Sequence, residues 1–232
     1  MVFASRVASY PQVARRCFPD RHKVIAHRRI RMLCESGLLR ADSLHMDRRQ
    51  EKYVETTERA WQFIQDHWCF EVDQPHFRSE SPAHDMRFNE IIFRLGTLTT
   101  FRTLYPENLL QSSSALAEDE STRDLVKLQA DGALLMNGPD GRTYAYGLEY
   151  ELSKKSPGRY RSKLLSYYFA QGIDGVIYVS PEREILNSLA RVDEEVRGAR
   201  PSILYLGFES EVLKPGDSIE FRNAKEHAIE LY

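Results

Sequence analysis

Between Leu128 and Tyr168 the chain sets acidic residues in two neighbouring strand-like runs and follows them with a basic helix, an order that dictates where buried charge must be compensated. In the run 128–136 one acid, Asp131, sits among apolar residues, and the turn Asn137-Gly138-Pro139-Asp140-Gly141 closes it. A strand turns successive side chains to opposite faces, so in 143–151 Glu149 and Glu151 share one face while Tyr144, Tyr146, Leu148 and Tyr150 share the other. A carboxylate within a core strand is costly to bury alone, so Asp131 and Glu149 call for a partner. The helix predicted over 159–170 places Arg159 and Lys163 on one face, beside an apolar stripe of Tyr160, Leu164 and Tyr168. Mg²⁺ suits such acids, because it takes hard oxygen ligands and commonly uses one or two carboxylates plus substrate phosphate. A helix cation beside them would neutralise charge on the phosphate. This is the arrangement a metal-dependent phosphodiester-cleaving site requires. The competing reading is structural, with the strand acids paired to Lys154, Lys155 or Arg159 in an ion-pair network.

The net charge of −2 over 232 residues conceals an asymmetry. Residues 1–55 hold 12 Lys/Arg against 6 Asp/Glu, an excess of six cations, which leaves 20 against 28 for the rest. A basic head on an acidic body predicts that the head meets a polyanion. The apolar content of 42% is ordinary for a soluble globular protein, and the length allows one or two domains with a real core. No apolar run approaches the roughly 20 residues that cross a bilayer, and the start of the chain does not read as a secretion signal. Cys17, Cys34 and Cys69 lack C-x-x-C spacing and are odd in number, so they read as reduced, partly buried thiols of a cytoplasmic protein, with no zinc or disulfide framework.

Within the head, residues 10–18 predict a short helix with Val13, Ala14, Cys17 and Phe18 inward. A second helix over about 21–36 buries Ala26, Ile30, Leu33 and Cys34, turns Arg21, Arg28 and Arg31 outward, and stops at Gly37. Two short strands, 38–42 and 51–56, flank a polar turn at 46–50, and a closing helix over 57–68 faces Ala60, Trp61, Ile64 and Trp68 inward. Helix, helix, two-stranded wing, helix is the order of a winged helix-turn-helix domain, assigned here to residues 1–70. In that arrangement the second helix enters the major groove of double-stranded DNA, with Arg21, Lys23, Arg28 and Arg31 near phosphates or guanines and Arg48 and Arg49 on the wing. A solvated charged face or a protein-binding winged helix is the alternative.

Polar residues with Pro75 and Pro82 mark 71–82 as a linker to a second domain over 83–232. There the helix 83–95 groups Met86, Asn89, Glu90 and Phe93, and Glu90 could complete a metal site built by the strands. His84 reads as a helix cap or core hydrogen-bonding residue rather than a ligand. Further expectations are a strand at 109–116, an acidic loop at 117–124, a hairpin of 128–136 with 143–151, the strand 175–180, the helix 181–196 and a last strand at 202–208. The class is mixed α/β, in the α+β sense of helices flanking a mixed sheet.

Three segments, Pro82–Glu90, Ala130–Leu134 and Leu148–Ser153, with Lys163–Tyr168 downstream, resemble the replication-relaxation family of plasmids and mobile elements. The resemblance implies an N-terminal winged helix and a C-terminal domain like the restriction-endonuclease PD-(D/E)XK fold. It makes Asp131 the first acid, Glu149 the second and Glu90 the helix acid, with Mg²⁺ as the metal held by these three. Glu151 stands where that pattern has lysine, and Lys154, Lys155 or Lys163 would have to supply the cation. Two functions follow as expectations. In one, the second domain cuts or nicks DNA through Asp131, Glu149, Glu151 and Lys163. In the other, it is a non-catalytic module for homodimerisation or for docking relaxosome or replication proteins.

Overall fold

Ser9 starts the first helix of the head by capping it. Its hydroxyl accepts from the Gln12 amide at 3.3 Å, and the Gln12 side chain accepts from the Ser9 amide at 2.9 Å, a reciprocal capping box. The computed structural model describes residues 2, 4–67, 79, 81–223 and 228–232. They form two compact units, Met1–Glu90 with Ser112–Ser114, and Ile91–Gln111 with Ala115–Tyr232. The division falls between Glu90 and Ile91, inside a helix. The expected linker at 71–82 lies largely outside the described residues, as does Trp68 of the closing helix.

The first unit runs β1 (Val7–Ser9), α1 (Tyr10–Cys17), α2 (Lys23–Glu35), β2 (Leu39–Met46), β3 (Arg49–Thr56), α3 (Glu58–His67) and the start of α4 (Pro82–Leu95). Its three strands form an antiparallel sheet in the order β1-β3-β2. Ala8, Val13, Ile30 and Val54 make one buried cluster, and Val7, Tyr53 and Met86 another. Gly37, at φ 73°, ends α2 in a Schellman turn: its amide reaches the Cys34 carbonyl and the Leu38 amide reaches that of Leu33, both at 2.9 Å. The hairpin is longer and tighter than the sequence predicts. Paired strands continue to Met46 and Arg49, leaving only Asp47 and Arg48 as the loop. Both take positive φ, 49° and 66°, which suits the twist of a two-residue hairpin turn. Strand β1 was not expected, and Cys17, predicted to face inward, is exposed because Gln12 and Val13 carry the inward face of α1.

The second unit continues α4 into β4 (Phe101–Pro106), α5 (Glu107–Ser112), α6 (Ser114–Glu118), α7 (Arg123–Lys127), β5 (Gly132–Asn137), β6 (Thr143–Tyr150), α8 (Pro157–Phe169), β7 (Gly175–Ser180), α9 (Arg183–Arg197), β8 (Leu204–Phe208), α10 (Glu209–Val212), β9 (Ile219–Arg222) and β10 (Ala228–Leu231). The class is mixed α/β, as expected: one seven-stranded sheet in the order β10-β9-β8-β7-β6-β5-β4, flanked by helices. Strands β4, β5 and β6 pair antiparallel, β6, β7 and β8 parallel, and β8, β9 and β10 antiparallel. The sheet curls. The Thr100 amide, just ahead of β4, donates to the Tyr232 carbonyl at 2.6 Å, and the Tyr232 amide returns to the Thr100 hydroxyl at 3.2 Å. Arg94 fixes the end of α4 by donating to the carbonyls of Lys214 and Ser218 and to the Thr97 hydroxyl.

Two expected strands change. Residues 109–112 and 114–116 are helical, in α5 and α6; the strand lies earlier, in the β-branched and aromatic run ending at Pro106. Strand β5 begins at Gly132, not at 128. Leu125 is buried from α7, and the chain leaves that helix through Gln129 at φ 51°, with the Ala130 amide on the Leu125 carbonyl at 3.1 Å. Asp131 therefore stands at the mouth of β5 rather than within it. Among the described residues no helix is long and apolar enough to cross a membrane.

Candidate functional site

Glu149 lies near the end of β6, on the sheet face that α8 covers. It is 8% exposed. The strand's alternation puts Gly147 on the same face, and that glycine is required: a Cβ there would lie 2.8 Å from Cε1 and 3.0 Å from the hydroxyl of Tyr167. The missing side chain lets the Tyr167 ring pass under the sheet and donate its hydroxyl to Glu149 Oε1. From one turn earlier on α8, Lys163 brings Nζ to 3.1 Å from the same oxygen. That ammonium also donates to the carbonyls of Leu128 at 2.8 Å and Gln129 at 3.1 Å, the last residues of the α7 turn. Its three hydrogens thus have three acceptors. Asp131 is oriented by β6 itself, its Oδ2 accepting from the Tyr150 amide at 2.7 Å.

Burial is the larger influence on Glu149, followed by the negative charge of Asp131. Lys163 and the Tyr167 hydroxyl pull the other way and lose, so the Glu149 carboxyl is pushed up to about 8. At neutral pH it holds a proton. Burial also raises the Tyr167 phenol well above its ordinary value, with Glu149 adding to the effect. Tyr178, opposite Glu149 on β7, is raised well above its ordinary value by burial first and then by Glu149, Asp131 and Glu151.

The other predicted residues fall in different places. Glu151 lies just beyond β6, where Lys155 pairs with it at 3.2 Å; this is the structural ion pair, formed by one acid and one of the expected lysines. Lys154 pairs with Glu184, and Arg159 is exposed. Glu90 belongs to the first unit, where Gln12 Nε2 donates to it at 2.9 Å and Arg15 pairs with it. Its helix neighbours are committed in the same unit, with Met86 accepting from Gln12 and Asn89 donating to Val7. His84 sits 3.0 Å from Asp85 and stacks on Phe88. Two carboxylates, Asp131 and Glu149, are the donors a Mg²⁺ ion would find here, which fits its usual minimum; among the described residues no group of three or more His, Cys, Asp and Glu is placed to hold a metal. The apolar stripe of α8 is Tyr160, Leu164 and Tyr167, one position off the predicted one, so Tyr167 and Gly147 escaped the sequence reading. A glycine two residues before a buried strand acid, on the same face, was the signal for both.

In the first unit the side chains of Arg21, Lys23, Arg28, Arg31, Arg48 and Arg49 are all exposed. Helix α2 is held by a narrow line, Ala26 and Ile30 buried and Cys34 half-buried, at i, i+4 and i+8. Most of its circumference faces outward. Arg48 occupies the hairpin tip and Arg49 the first position of β3. No protein-family model matches the chain, and no curated protein or solved structure was found to be similar to it.

Proposed function

We propose that the chain is a DNA-binding protein of a plasmid or mobile element, acting in replication, mobilisation or regulation, whose first unit grips duplex DNA and whose second unit is a nuclease-like module that does not cut. The observation that carries the reading is α2: a 13-residue helix anchored along one line and ringed by cations, followed by a two-stranded hairpin with arginine at its tip. An α-helix about 10–12 Å across fits a major groove about 12 Å wide when most of its surface is free. The order of β1, α1, α2, β2 and β3, with the sheet arranged β1-β3-β2, supports a winged-helix reading of this unit. Helix, three antiparallel strands, helix and parallel strand support a PD-(D/E)XK reading of the second. Its inactivity is supported by a protonated Glu149, a Lys163 whose hydrogens are all engaged, and Glu151 in the place of the expected lysine.

A second reading, a Mg²⁺-dependent endonuclease or nickase, is favoured by the proximity of Asp131 and Glu149 and by Lys163 reaching Glu149 from α8. Asp131 and Glu149 would hold the ion, which when bound supplies an activated water and stabilises the leaving oxygen. Within the chain, Tyr167 and Lys163 orient the Glu149 carboxyl, and its proton has to leave before that oxygen can serve as a ligand.

One experiment addresses both. The full chain is titrated with labelled duplex at several salt concentrations, and the same preparation is mixed with supercoiled plasmid and Mg²⁺ or Mn²⁺. Binding whose logarithm falls linearly with log salt, with a slope reduced by about 0.9 in Arg31→Ala, is expected, with plasmid left intact. Absence of duplex binding refutes the proposal. Nicking that disappears in Asp131→Ala and Glu149→Ala establishes the second reading instead.

A further inference from the structure

On its outward side α2 carries more than cations. Val24 is 61% exposed, Met32 47% and Ile25 39%. Single exposed apolar residues are ordinary on any surface. Here, however, Val24, Ile25 and Met32 stand at i−4, i−3 and i+4 from Arg28, within about 60° of it around the helix at 3.6 residues per turn. The side of α2 opposite the Ala26 and Ile30 line is therefore a small apolar patch with a guanidinium at its centre, Arg31 about 60° from it and Arg29 about 100°. Glu35 is the acid on this helix, and it lies 3.7 Å from Arg31.

Such a face needs a partner that is a polyanion and yet offers apolar groups at helix spacing. Duplex DNA does so in its major groove, where thymine presents a 5-methyl group and guanine a pair of acceptors suited to arginine. We infer that α2 discriminates sequence, with Arg28 directed to guanine and Val24, Ile25 and Met32 packing on the methyl groups of flanking thymines. The inference rests on the DNA-binding reading of the first unit and adds what that unit recognises. The charge of the face selects this occupant over a second copy of the chain, because two such faces brought together would oppose Arg28, Arg29 and Arg31 to themselves.

The test uses the full chain. Duplexes are enriched from a random pool, and the thymines of the bound segment are then replaced by deoxyuridine, which removes the methyl groups and leaves every hydrogen-bonding group and phosphate in place. Affinity is expected to fall about fourfold for each contacted methyl. The exposed-site variants V24S and M32Q are each expected to narrow the difference between thymine and uracil duplexes with an unchanged salt slope. Equal binding of the two duplexes by the unsubstituted chain, or a pool that fails to enrich, overturns the inference while leaving salt-dependent duplex binding intact. Loss of all duplex binding is the separate failure of the underlying reading. Dimerisation in sedimentation that V24S abolishes also overturns the inference, because it assigns the face to a second copy.

Discussion

Replacing Glu149 by glutamine isolates the titration of one buried carboxyl. In the folded chain that carboxyl keeps its proton up to a pH of about 8, whereas the ordinary value is 4.5. Between these limits the native state binds more protons than the unfolded state, so stability falls as pH rises from about 4.5 to 8 and levels off above. At 1.36 kcal/mol per pH unit the full excursion is on the order of 4 to 5 kcal/mol. Burial leaves little room for solvent screening, since Glu149 is 8% exposed. Glutamine keeps an oxygen for Tyr167 and Lys163 but has no proton to lose. The stability of Glu149→Gln relative to the unsubstituted chain should therefore climb by roughly 1 kcal/mol per pH unit across pH 5 to 8 and then reach a plateau. Urea unfolding of both chains at unit steps from pH 5 to 9 measures this directly. A difference independent of pH would show that Glu149 titrates normally in the fold. A difference that shrinks as pH rises would mean that the Lys163 ion pair outweighs burial, which reverses the sign and refutes the reasoning.

Gly147→Ala should drive the new methyl into the Tyr167 ring at 2.8 Å, lowering stability by about 1–3 kcal/mol in thermal or urea unfolding. An unchanged melting temperature would show that Tyr167 does not pack under β6. Arg48→Gly should relieve a left-handed backbone at the hairpin tip and stabilise the first unit by roughly 1 kcal/mol. The same variant should weaken duplex binding and lower its salt slope by about 0.9, and a gain in both stability and affinity would remove Arg48 from the contact surface.

Periodicity made the helices over 10–17, 23–35, 157–169 and 183–197 legible, because each buries a stripe at helical spacing. Strand alternation put Glu149 and Gly147 on one face of β6, while the helical rule missed the inward tyrosine of α8 by one position. Tyr167 and Tyr168 are adjacent aromatics, and which of them turns inward is decided by the gap at Gly147, a tertiary fact. Leu109–Leu116 reads as a strand although it is helical, since buried positions 108, 110 and 112 alternate as a strand's would, and Leu110 packs in a core cluster with Leu125, Ala133 and Tyr167 from elsewhere in the chain. Lys163 was visible as a cation on α8, but its double engagement with the Leu128 and Gln129 carbonyls depends on a left-handed Gln129 that no local pattern announces. Glu90 sat on the expected helix, yet Gln12 and Arg15, more than 70 positions earlier in the chain, hold it in the first unit.

The hydrogen bonds between Thr100 and Tyr232 bring the two margins of the seven-stranded sheet together. A β-margin left open is a template on which a stray strand can add, and every addition exposes a fresh one. Bridging the margins narrows that opportunity, so loss of the Thr100 hydroxyl should be felt less in the melting of the unit than in its tendency to polymerise at high concentration.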